Sequence, residues 1–164
     1  MTPRIQKAID IFLDSLNNGT LVAGNCSACA VGNLVAEAFG IKYHVDEIAV
    51  WYDRIEAINR EYPPTVWTNF FMNGIVKDNN DASEKKAMDI ICKQTGFTLP
   101  ELAAIERAFE SNCYLKGIGH DPIELRKSQI EGLAAVVEVM MGFDGIQEDV
   151  QEVFISKAEL IPID

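Results

Sequence analysis

The sequence has no apolar run near the ~20 residues needed to cross a membrane. Its most apolar segment, LAAVVEVMMGF, is broken by Glu138. The first residues, MTPRIQKAIDIF, lack the apolar centre of an export signal and have the spacing of an amphipathic helix. A cytoplasmic protein without a membrane role is therefore expected. Cations are scarce: 14 Lys and Arg stand against 25 Asp and Glu, a net charge of −11. Residues 131–164 carry eight carboxylates and one cation, Lys157. Such a surface repels nucleic acid and anionic lipid. Solvation is its plain consequence, and attraction to a basic partner is the sharper one. Strand-like alternation is also scarce, which argues against a sheet.

What is present is helical spacing over nearly the whole chain. At 164 residues, one compact domain can bury a core of its own without staples. Thr2 and Pro3 open a first helix whose Ile5, Ile9, Phe12, Leu13 and Leu16 share a face, and Gly19 ends it. Further helices are expected over about 26–39, 46–61 and 83–95, with a short apolar one in TVWTNFFMNGIV, where Trp67, Phe70 and Phe71 are core candidates. Thr98 and Glu101 stand at capping-box spacing before Leu102, Ile105, Ala108 and Phe109. Asp121 and Pro122 open a long helix to about Met141, and a last helix covers about 146–160. Its expected buried residues are Ile146, Val150, Val153 and Phe154, with Ile161 just beyond. Gly40-Ile41, Gly96-Phe97 and Gly142-Phe143 each read as a glycine stop followed by an apolar residue. The expected fold is all-α: a single compact domain, 1–164, of about seven helices.

Four cysteines occur, at 26, 29, 92 and 113. Without an export signal they read as thiols. Cys92 reads as a small core residue. Cys26 and Cys29 form a Cys-x-x-Cys at the start of the second helix. Three readings are open for this pair. In the first they only pack. Val31, Leu34, Val35, Ala38 and Phe39 form one stripe, while Cys26, Cys29, Gly32, Asn33 and Ala36 form a second, narrow stripe that a neighbouring backbone can approach. In the second they bind zinc, with His44, Cys92, Cys113 or His120 as the remaining ligand candidates. In the third they are redox-active, since a helix start lowers a thiol pKa. The absence of a preceding βαβ strand weakens that third reading. Both sulfurs are expected on the small-residue side, with Asn25 or Ser27 capping the helix.

Other polar residues give weaker signals. His44 lies near Asp46 and Glu47, where a general base is possible but a solvated neighbour is the simpler reading. Cys113 and His120 could form a nucleophile pair, though no local signature supports it. Gly117-Ile-Gly119 has no third glycine and no preceding strand, so it is not a nucleotide fingerprint. DNNDAS lacks the central glycine of a calcium loop.

The stretches GNCSACAVGNLVAEAFG and TGFTLPELAAIERAFE resemble a set of small uncharacterised bacterial proteins sharing a Cys-x-x-Cys-Ala-Val-Gly-Asn helix. The resemblance implies a bacterial or phage-like origin and carries no activity or site residue. The function expected first is a non-catalytic helical protein that associates with a protein partner or with itself. A homodimer seam would use the two terminal amphipathic helices. A zinc-binding protein and a thiol-dependent redox enzyme are the alternatives.

Overall fold

A computed structural model describes residues 1–24, 29–38, 89, 91–117 and 119–163. Cys26 with Asn25 and Ser27, His44, the Gly40-Ile41 stop and the helices expected between 46 and 76 lie outside the described residues. Within them the elements are α1 (Pro3–Asn18), α2 (Ala30–Ala38), a helical stretch α3 over 91–95, α4 (Leu99–Asn112), α5 (Pro122–Asp144) and α6 (Val150–Glu159). The fold is all-α, and no strand occurs among the described residues.

Pro3 occupies the first turn of α1, where its missing N–H would have no partner anyway. Ile5, Ile9, Phe12 and Leu16 recur at helical spacing and are all buried. Gly19 takes a left-handed φ of 68° and ends the helix, its N–H bonding Ser15 O. This face of α1 is inside the core. α2 is buried on every side from Ala30 to Ala36. Of the two stripes expected on it, Val31, Leu34 and Val35 of the first and Cys29, Gly32, Asn33 and Ala36 of the second are interior. Phe12, Phe97, Phe109 and Phe154 are the largest fully buried side chains. Each contributes roughly 1.5–3 kcal/mol of apolar burial.

The helix ends explain the connections. Gly96 has φ 78° and its N–H reaches Cys92 O at 3.0 Å, after which Phe97 turns into the core. Thr98 and Glu101 form the expected capping box at the start of α4. Asp121 caps α5 by accepting from Glu124 N–H. The expected stop at Gly142-Phe143 is not used: α5 runs on to Asp144. Gly145 takes the left-handed conformation instead, at φ 62°, and Ile146 N–H bonds back to Met141 O at 3.0 Å. The stop is again glycine followed by an apolar residue, three positions later. Gly142 needs no positive φ and stays helical. In α6, Val150, Phe154 and Ala158 are buried, whereas Val153, expected inside, is 53% exposed.

One polar clasp joins three helix ends. The Arg4 guanidinium donates to Glu101 at 2.9 and 3.0 Å, to both carboxylate oxygens of Asp144 and to Gly96 O at 3.0 Å. Its plane lies 4.8 Å from the centre of the Phe97 ring. Thr2 Oγ1 donates to the same Asp144 carboxylate. These bonds hold both carboxyls below their ordinary pKa.

Candidate functional site

Cys29 sits at the start of α2 and is fully buried. Its carbonyl accepts the first helical bond, from Asn33 N–H at 3.0 Å. Its sulfur accepts from Gly32 N–H at 3.3 Å. Cys29 therefore caps α2 itself. The helix begins at Ala30 rather than at 26, because this thiol takes the place of the Asn or Ser oxygen expected there. Asn33 locks the cap from the next turn, donating to Cys29 O at 3.0 Å and Thr20 O at 3.1 Å.

Against this cap lies a carboxyl that the sequence reading did not single out. Glu106 projects from α4 and is only 6% exposed. The Cys29 thiol, the Val31 N–H and Glu110, one turn further along α4, are the groups that act on its charge. Its Oε2 atom is buried without a partner among the described residues. Burial, with the neighbouring Glu110 charge adding to it, pushes the Glu106 pKa up to about 7, against the partial offset of Cys29 and Val31. A signal for this residue was available. Glu106 stands four residues after Leu102 and three before Phe109, so it lies on the apolar face of its helix.

Glu110 leads outward. Both its oxygens accept from Gly24 N–H, at 2.9 and 3.1 Å, and Lys116 Nζ is 3.0 Å from Oε2. Gly117 N–H bonds Ala23 O at 2.9 Å. The segment entering the Cys-x-x-Cys is thus fastened to α4 and to the loop after it. Gly24 holds φ 82°, which a larger residue would adopt only with strain.

Cys113 and His120 each find other partners. Cys113 contacts Ser128 Oγ at 3.3 Å and Leu115 O at 3.5 Å, while His120 Nε2 contacts Lys116 O at 2.5 Å. None of these contacts joins Cys113 to His120. Burial raises the Cys113 thiol pKa, which is the wrong direction for a nucleophile. Burial likewise raises that of Cys92, with the Asp89 charge second. Among the described residues no three His, Cys, Asp or Glu side chains come together as a metal site.

An open groove of about 310 Å³ lies beside the loop before α5, lined by Leu16, Leu21, His120, Leu125 and Ile163 among others. Two of its polar side chains are committed to the fold: Arg126 donates to Leu16 O and Ile161 O, and Gln129 to Leu21 O. The groove therefore offers shape and apolar surface but no catalytic cluster.

The fold and this site define a class: an all-α protein with a buried cysteine–carboxyl pair at a helix start. No family model matches the chain, and neither the curated proteins nor the solved structures give a significant match. No helix among the described residues is long and apolar enough to cross a membrane.

Proposed function

We propose that the protein is a dithiol–disulfide exchange protein in which Cys26 and Cys29 are the redox pair. The observation that carries this reading is Cys29 as the sulfur cap of α2. A backbone N–H is aimed at that sulfur at the positive end of the helix, where dithiol pairs are placed. Dithiol chemistry needs one thiol that can be released as a thiolate and recaptured. The helix start supplies that environment without the βαβ setting whose absence weakens the case in the sequence. Two residues separate Cys29 from Cys26, the spacing common to dithiol oxidoreductases. The test is to incubate the protein with glutathione disulfide, block remaining thiols and map the products by mass spectrometry. A Cys26–Cys29 disulfide, with Cys92 and Cys113 alkylated only after unfolding, is expected. Persistence of both thiols at an oxidising glutathione poise overturns the reading.

A second reading, protein association or homodimer formation, is supported by the last helix. Val153 on α6 is 53% exposed and Leu160, the residue that caps the helix C-terminus, 82%, and Ile163 follows. The strongly acidic surface makes nucleic acid a poor partner. Light scattering at high micromolar concentration tests it: a dimer that Leu160→Glu dissociates is expected, and a monomer removes the idea.

A further inference from the structure

We propose that the groove beside the start of α5 binds a small aliphatic carboxylate, with the charged end on Arg126 and the apolar body along Leu16, Leu21 and Leu125. The site shares no residue with the cysteine pair, so it stands or falls separately from the dithiol reading. Four pieces of the chain meet there: the end of α1, the loop after it, the first turns of α5 with the loop before them, and residues 162–163 after α6. Pro122, Leu125, Arg126 and Gln129 follow helical spacing and present one face of α5 to the space. Leu16 and Leu21, each 2% exposed, form its apolar floor, and Ile163 stands at the rim. Gln129 fixes the floor by donating to Leu21 O at 2.8 Å. The volume, about 310 Å³, is at the lower end of the range for small-molecule sites.

Charge selects the ligand. The whole chain carries a net −11. Among the described residues that line the groove, however, the ionisable side chains are Arg126 and His120, with no Asp or Glu. Asp121, next in sequence to His120, turns its carboxylate to Glu124 N–H at the helix start. A groove lined in this way draws an anion against the sign of the chain as a whole. Arg126 is half-buried, so salt screens its charge less than that of an exposed cation. Its guanidinium donates to Ile161 O at 2.9 Å, to Leu16 O at 3.2 Å and to Pro162 O at 3.4 Å. The last is longer than an ordinary N–H···O bond. A carboxylate accepts from a guanidinium about twice as strongly as a neutral carbonyl does. An entering carboxylate therefore takes the place of Pro162 O and moves residues 162–163 aside, while the bonds to Ile161 and Leu16 stay. The aliphatic body then covers the leucine floor and leaves water.

Octanoate is titrated into the full chain, labelled with nitrogen-15, and the amide shifts are followed. One saturable site with Kd below about 1 mM is expected, its shifts centred on residues 16–22, 119–129 and 163. 1-Octanol, which lacks the charge, and acetate, which lacks the body, should each bind at least tenfold more weakly. Ile163→Asp places a carboxylate at the rim, outside the core, and should weaken octanoate tenfold or more with the rest of the spectrum unchanged. Arg126→Gln should do the same and Arg126→Lys should recover part of the loss. If Arg126→Gln does not fold, the octanol comparison and Ile163→Asp decide. Octanol binding as tightly as octanoate overturns the role of Arg126, and acetate binding as tightly overturns that of the leucine floor. No saturation by about 5 mM, or shifts centred elsewhere, removes the site. Tighter binding by an apolar peptide with a free terminal carboxylate overturns the assignment to a small molecule.

Discussion

Replacing Gly132 by Ala tests how closely α4 and α5 are packed. In an open helix this change stabilises by about 1 kcal/mol, because alanine loses less backbone freedom than glycine. At Gly132 the added Cβ would lie 2.8 Å from Cys113 Cβ and 2.9 Å from a carbon of the Phe109 ring. Carbon atoms prefer to sit roughly 3.5–4.0 Å apart, so the helices must part by several tenths of an ångström or more. Phe109 and Cys113 are both buried and have little room to retreat. Overpacking of this kind costs typically 1–3 kcal/mol, and here both clashing atoms are near the backbone or in a fixed ring, which places it at the upper end. After the helix gain is subtracted, Gly132→Ala should destabilise by about 1–2 kcal/mol. The same helix contains its own control. A Cβ at Gly142 would meet nothing within 4 Å, so Gly142→Ala should stabilise by about 0.5–1 kcal/mol. Urea unfolding followed by far-ultraviolet circular dichroism measures both. Combining Gly132→Ala with Phe109→Leu should be less than additive, since both act on one contact. Equal stabilisation by the two alanines would refute the close crossing of α4 and α5.

Further outcomes follow from the charged groups. Arg4→Ala strips two carboxylates of a shared partner and should cost about 2–3 kcal/mol, read by the same unfolding assay. Glu101 and Asp144 have depressed folded-state pKa values, so the clasp is fully effective above their ordinary values of 4.5 and 3.8 and is lost as pH falls below them. Acid titration of stability should be shallower in Arg4→Ala. Glu106 acts in the opposite sense, its folded value of about 7 lying above the ordinary 4.5. The folded protein keeps a proton that the unfolded chain releases, so stability falls as pH rises between those values, by roughly 3 kcal/mol at most. Glu106→Gln should remove that slope and be more stable than wild type above neutrality. Cys29→Ala removes the sulfur cap of α2 and should cost on the order of 1–2 kcal/mol by denaturation.

The helices were legible where apolar spacing and terminal chemistry agree. Pro3, Gly19, the Thr98–Glu101 box and the Asp121 cap all lie where local preference alone puts them. Local signals mislead where two adjacent ones compete. Gly142-Phe143 and Gly145-Ile146 have the same stop grammar, and only the tertiary position of Ile146, partly buried against the core, selects the second. Val153 has the spacing of a buried residue, but α6 lies at the rim and covers the core with a narrower stripe. The start of α2 was missed because oxygen caps are the usual signal, and here a sulfur accepts the N–H. Neither the pairing of Cys29 with Glu106 nor the separation of Cys113 from His120 could be read from spacing, since each depends on how helices cross.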